Sequence, residues 1–343
     1  MVLLQHWGPL SLYRDFHMGG LGVDLFFVLS GFLIGEILFI EKEKTTSKRT
    51  SLKNFYIKRS LRIFPLYYAT LALYGVLFTT GGILLWNLTY TTNILECIDK
   101  MRVPKEFSHL WSLCVEEQFY LVFPFLALYV PLKRIKPLLL ITICCTIAFR
   151  FIITIAKVPD AEVWSLRLMP ASLDCLFAGV LLAYYKTYKQ DSLKALFSKK
   201  ILVYTVIILS MIAVYIIRSG QNQLLNNTLY RVNASLLGFA AIGFSVMVGF
   251  RGVVKTFLEN SFIASLGKIS YGIYMLHPFV EEQYYRLIDN NWVRNKLISF
   301  NTPVVSNRYI IDFISLFGIT VIIAYTSFYF FESRFLKLKK YYS

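Results

Sequence analysis

Runs of apolar residues, separated by short charged segments, dominate this chain and leave it few folds to choose from. A helix needs about 20 mostly apolar residues to cross a bilayer. In lipid only helices and closed barrels satisfy their own backbone polar groups. Such runs fall at 1–12, 20–40, 64–86, 109–130, 137–156, 168–185, 201–217, 232–250, 263–284 and 309–331. Of the 343 residues, 56% are hydrophobic and 16% charged, and the mean hydropathy is +0.55. A soluble domain carries roughly 25% charge. This balance excludes a water-soluble enzyme, a disordered chain and a coiled coil. The predicted fold class is all-α, a polytopic membrane helical bundle of about ten transmembrane helices. No repeat or linker divides it, so residues 1–343 read as a single transmembrane domain with no fused soluble domain. The first run is too short to span and starts at Met1 without a preceding charged region, so helix 1 reads as truncated.

The net charge of +16 comes from 36 Lys and Arg against 20 Asp and Glu. In a soluble protein that excess points to nucleic acid. Here the basic residues gather in alternate loops: Lys42 to Arg62, Lys133 to Lys136, Lys186 to Lys200, Arg251 to Lys268 and Arg334 to Lys340. The positive-inside rule puts those loops in the cytoplasm, predicts cytoplasmic termini and accounts for the charge through topology and lipid headgroups, with no nucleic-acid partner. Trp7, Trp86, Trp111 and Trp292 fall near predicted helix ends, as interface anchors do. The five cysteines, Cys97, Cys114, Cys144, Cys145 and Cys175, form no C-x-x-C pair and read as buried free thiols rather than a disulfide framework or zinc site. No metal motif, phosphate loop or nucleophile elbow is present.

Polar groups inside spanning helices are costly and mark candidate sites. Asp24 stands at the outer start of helix 2, with Ser30 and Gly31 deeper in it; these also read as a terminal charge and a packing pair. Arg59 and Arg62, three apart, share one helical face where the chain enters helix 3 from the cytoplasm. Paired guanidiniums suit phosphate, and also suit an ordinary cytoplasmic anchor. Glu116 and Glu117 lie together about two turns into an apolar helix, where a histidine or arginine from another helix is the natural partner. His6 lies toward the outer half of helix 1, where an imidazole can serve as general base or sit as a core residue. His277 carries the same ambiguity, Asp174 is a further intramembrane charge, and His17 reads as a loop residue. Cys114 is set aside as a nucleophile, because two residues from Glu116 it faces another way.

Together, His6, GVDLFFVLSGFLIG (22–35), KRSLRIFPLYY (58–68), HLWSLCVEEQFYLVFP (109–124), SLDCLFAGVLLA (172–183), LGKISYGIYMLHP (266–278) and FFESRF (330–335) resemble the acyltransferase-3 family of bacterial membrane O-acyltransferases. The resemblance runs through the whole chain in order. It implies a ten-helix fold in the bacterial plasma membrane, a cytoplasmic acyl-CoA donor, acetyl-CoA by preference, and a hydroxyl acceptor on a saccharide or glycolipid. It implies that His6 is catalytic and that Arg59 and Arg62, with Ser30, serve the donor. Asp24 and Glu116 match further functional positions. No permanently bound cofactor or metal is implied. The chain departs from the family in lacking an Arg and a longer apolar run before His6, and in having Glu332-Ser333-Arg334 where Glu-x-Pro is usual. The resulting expectation is that His6 deprotonates the acceptor hydroxyl while Asp24 or Glu116 orients the imidazole. A covalent acyl-histidine is a variant, and a flippase of a lipid-linked or acylated glycan is the competing reading. A non-catalytic sensor that has lost its N-terminus is a third. The acceptor's identity and the oligomeric state are not legible in the sequence.

Overall fold

The computed structural model describes residues 1–7, 18–44, 47–77, 82–220, 222–288 and 308–342, and every regular element among them is helical. The principal helices are α1 (Val2–Trp7), α2 (Met18–Glu43), α3 (Lys48–Leu77), α4 (Leu110–Tyr129), α5 (Leu132–Ile155), α6 (Leu173–Tyr188), α7 (Lys200–Ser219), α8 (Gln223–Met247), α9 (Ser270–Ile288) and α10 (Arg308–Ser327). Shorter helices, including Lys105–Ser108 and Ala161–Arg167, connect them at one end of the bundle.

Among the described residues, five segments are long and apolar enough to cross a membrane: Gly19–Glu43, Leu132–Ile155, Lys200–Ser219, Gln223–Met247 and Ile310–Tyr342. The sequence-based figure of about ten is not reached by this measure, and the shortfall has a chemical cause. α3 opens on a basic stretch, α4 carries Glu116, Glu117 and Gln118, α6 has only 16 residues, and α9 holds His277, Glu281 and Glu282. In α3, α4 and α9 the groups that depress hydropathy include the candidates Arg59, Arg62, Glu116 and His277.

Several boundaries move from their predicted places. The run at 64–86 belongs to a 30-residue helix that begins at Lys48, so Arg59 and Arg62 stand inside α3 rather than at its mouth. Its charged first half contains no helix breaker, and hydropathy alone excluded it. The segment 168–185 starts as a helix only at Leu173, after a tight turn at Met169–Ala171 built around Pro170. The run 263–284 divides at Ile269 into Ser261–Lys268 and α9. α8 begins at Gln223 instead of 232, and α10 passes into a π-turn at Phe328–Glu332. Of helix 1, residues 8–12 lie outside the described residues, as do His17 and Trp292.

The core is set by close helix contact. α2 and α6 make the most extensive pairing. A Cβ on Gly31 would stand 1.9 Å from the Leu176 carbonyl oxygen, and one on Gly179 would stand 1.9 Å from that of Val28. Small residues are what allow helix backbones to approach this way in lipid. Arg150, wholly buried, donates to the Ala171 carbonyl (2.7 Å), Asp174 Oδ2 (2.6 Å) and the Thr228 carbonyl (3.1 Å), tying α5 to α6 and α8. Outward faces are apolar, as on α7, where Ile208, Leu209 and Ile216 are exposed. Cys97, Cys114 and Cys175 are buried free thiols, and burial pushes the Cys97 thiol up to about 12. Cys144 and Cys145 depart from the expected burial: they lie exposed on α5, most of which faces away from the bundle.

Candidate active site

A cavity of about 640 Å³ opens at the end of the bundle where α2, α4 and α8 begin and α7 and α9 finish. His6, Asp24, His109, Trp111, Arg167, Arg231, Tyr274 and Glu281 all line it. The polar end groups of several helices therefore converge on one space, with aromatic rings as its apolar walls.

His6 packs edge-on against His277, ring centroids 5.0 Å apart, and His277 in turn lies 5.4 Å from His109. His277 Nδ1 is 2.7 Å from the Tyr274 carbonyl, to which it can only donate. Its Nε2 is then an acceptor, and it is buried without a hydrogen-bond partner. Four residues on, and so on the same face of α9, Glu281 holds two neighbours. The Trp7 indole Nε1 donates to its Oε2 at 3.2 Å, and Lys105 Nζ donates to its Oε1 at 2.9 Å. That hydrogen bond raises the Lys105 ammonium above its usual range. Glu281 and His6 line the same cavity. Glu281, which holds the residue next to His6 in sequence, is a cavity carboxylate that the sequence did not single out.

Asp24 shares the cavity, but its partner is Arg231, whose Nε lies 3.1 Å from Oδ1, both side chains being buried. Arg231 also donates to the Ser165 and Leu166 carbonyls and to Ser172 Oγ. Arg231 and Arg167 both contact the Trp111 ring, at 6.0 and 4.6 Å from its centroid, and Arg167 pairs with Glu96 at 3.0 Å.

Ser30 and Glu116 belong to a second cluster away from the cavity lining. The Ser30 and Tyr120 hydroxyls both donate to Glu116 Oε1, and Ser30 Oγ is 2.8 Å from Tyr120 Oη. The Arg59 guanidinium lies over the Tyr120 ring (5.2 Å) and near Phe55 (5.8 Å). Tyr120 is nine residues beyond Trp111, about 13 Å along the axis of α4. The C-terminal segments Phe328–Glu332 and Leu338–Tyr342, which carry Glu332 and Lys339, pack against α3, the helix of Arg59 and Arg62. His6 and Asp24 therefore meet in one space, Ser30, Glu116 and Arg59 meet in another, and Arg62 stands with the C-terminal segment. Glu281 was detectable in principle, as an acid one turn from a histidine in an apolar helix. Lys105, Arg231 and Lys339 carried no local signal.

Helices that bring charged and imidazole groups together inside an apolar shell define a membrane-embedded protein with an internal polar site. The chain matches the acyltransferase-3 family, described as an acyltransferase domain, over residues 1–329, and it belongs to that family. It is 35% identical over 161 residues to the peptidoglycan O-acetyltransferase OatA of Listeria monocytogenes, covering 42% of this chain and 26% of that protein. It is 26% identical over 296 residues to the O-acetyltransferase OatA of Staphylococcus aureus, covering 76% of this chain and 45% of that protein. The chain thus spans under half the length of these curated relatives. No solved structure matches it.

Proposed function

We propose that this chain is a multi-pass O-acyltransferase, specifically an O-acetyltransferase, of the bacterial cytoplasmic membrane. It moves an acetyl group from cytoplasmic acetyl-CoA to a hydroxyl of a cell-surface or exported saccharide, through about ten crossing helices with both termini inside. No permanently bound cofactor takes part. The observation that carries this reading is the placement of His6 in a polar cavity at one end of the bundle, with Arg59 over Tyr120 about 13 Å further along α4. Family membership and relatives named O-acetyltransferases support it.

In this reading Arg59, Arg62 and Lys339 hold CoA phosphates, and the thin pantetheine arm passes the Ser30, Glu116 and Tyr120 cluster. His6 takes the proton of the acceptor hydroxyl, whose oxygen attacks the thioester carbonyl carbon. The carbon–sulfur bond breaks, and the imidazolium returns the proton to the CoA thiolate. Glu281 stabilises the imidazolium, a role the sequence reading gave to Asp24 or Glu116. Base catalysis of this kind contributes about 10²–10⁴-fold. The test is CoA release and ester formation by the purified, full chain with acetyl-CoA and a saccharide extract. His6→Ala is expected to abolish both without loss of folded protein, and activity retained in that variant overturns the scheme.

A further inference from the structure

We infer that Arg218 is the recognition group for an anionic substituent, a carboxylate or a phosphate, on the saccharide acceptor. This rests on the reading of the cavity as the acceptor site. The other cations of the cavity are committed: Lys105 to Glu281 at 2.9 Å, Arg167 to Glu96 at 3.0 Å and Arg231 to Asp24 at 3.1 Å. Arg218 lines the same cavity and, among the described residues, has no carboxylate within ion-pair distance. Asp24 acts on it only from further away. Its Nε is buried without a hydrogen-bond partner. A partly buried guanidinium with an unpartnered Nε–H and no carboxylate beside it is costly until a counter-charge arrives.

The guanidinium is held against an aromatic ring at the cavity wall. Arg218 stacks on the Tyr230 ring, 3.8 Å from its centroid, and that ring is itself buried. A guanidinium is a planar fork of N–H donors that can take two oxygens of one anion. Gly20 stands beside that fork. A Cβ there would lie 3.6 Å from Arg218 Nη2, so any longer side chain would fill the space in front of it. The Gly20 amide donates to Gln5 Oε1 at 3.2 Å, and Gln5 precedes His6. An anion held by Arg218 therefore sits across Gly20 from the helix that bears the base. Of the remaining cavity acids, Glu106 and Glu162 lie on the connecting segments that carry Lys105 and Arg167, and Glu282 pairs with Arg286 on α9, so the α7 side is the one that accepts negative charge.

The experiment uses the full chain in lipid vesicles and three probes: a uronic-acid oligosaccharide, its carboxyl-reduced counterpart, and a neutral sugar on a polyprenyl diphosphate. Binding and acetyl transfer are both measured. The wild type is expected to prefer one anionic probe to the neutral one by about 10-fold or more, and Arg218→Gln to remove that preference. Arg218→Lys, which keeps the charge but loses the fork, falls between. kcat at saturation and KM for the neutral probe stay within about 2-fold. Preference for the uronic acid assigns a carboxylate on the sugar, and preference for the diphosphate assigns the carrier. Equal binding of all three probes by the wild type, or an undiminished preference in Arg218→Gln, overturns the inference. No CoA release with any acceptor, alongside an intact binding preference, refutes the transferase reading and leaves Arg218 as an anion site.

Discussion

Glu281 is where the geometry makes its sharpest demand. Its two oxygens serve different neighbours, so two substitutions separate structure from chemistry. Glu281→Ala removes both acceptors. The buried Trp7 indole N–H then loses its partner, which costs about 1–3 kcal/mol. Lys105 loses its bridge, but that side chain is 78% exposed, so its share is about 0.2–1 kcal/mol. Glu281→Gln keeps an amide oxygen for Trp7 and gives up the charge and the acceptor of the exposed Lys105, so its stability should stay within about 1 kcal/mol of wild type. The charge is what acts on His6 as the proton arrives. One opposite charge close to an imidazolium is worth about 1.4 kcal/mol or more, tenfold in rate. Glu281→Gln is therefore expected to lower kcat about 10-fold or more with KM for the acceptor little changed, and Glu281→Asp to recover part of it. The assay is steady-state CoA release, with thermal unfolding followed by tryptophan fluorescence as the stability control. Wild-type kcat in Glu281→Gln would remove Glu281 from the mechanism.

Three further outcomes follow from the scaffold. Arg150→Leu strands Asp174 in the interior and should cost about 3–5 kcal/mol, seen as loss of folded protein on detergent extraction. The double variant Arg150→Leu/Asp174→Leu should recover most of it, and failure to recover would show that the carbonyl bonds of Arg150 matter more than the charge. Gly31→Ala drives a Cβ into the Leu176 carbonyl and should destabilise by about 1–3 kcal/mol or more, whereas Gly75→Ala, with nothing within 4 Å, should stabilise by roughly 0.5–1 kcal/mol. Similar unfolding midpoints for the two would refute the close-packing argument. Because Lys105 is raised in the folded state, its contribution is complete below about pH 10.5 and is lost as pH climbs through the higher folded value. Stability attributable to Lys105 should thus be level between about pH 6 and 9, and Lys105→Met should remove only the part of the alkaline loss that lies above that range.

What the sequence made legible depended on whether the signal was local. Apolar length located the hydrophobic part of most principal helices, and Gly31 was readable as a packing residue because close approach in lipid needs a small side chain. Helix starts failed where a helix carries charge: α3 begins at Lys48 although its apolar run begins at 64. Partners failed for a different reason. Asp24 finds Arg231, Trp7 finds Glu281, and Glu116 finds Ser30 and Tyr120. Only the Glu116 and Tyr120 pair is one helical turn apart, and so only that pair was within reach of spacing rules. The rest are set by which helices pack together, and nothing in the spacing of a single chain encodes that.

The two clusters make more sense together than apart. Asp24 and Ser30 lie on the same helix, six residues and therefore about 9 Å apart along its axis. Asp24 belongs to the lining of the His6 cavity, and Ser30 to the group that meets Arg59 through Tyr120. One rigid helix, wedged against α6 at Gly31, thus fixes the depth of both clusters. A soluble enzyme can let its donor and acceptor approach from any side. A membrane enzyme with a donor on one face and an acceptor on the other must bridge the interior, and each polar group it places there needs a partner to offset desolvation. The Ser30, Tyr120 and Glu116 hydrogen bonds and the Asp24 and Arg231 pair meet that need at successive depths along one helix, with the His6 cavity at one end of the series and Arg59 beside the other cluster.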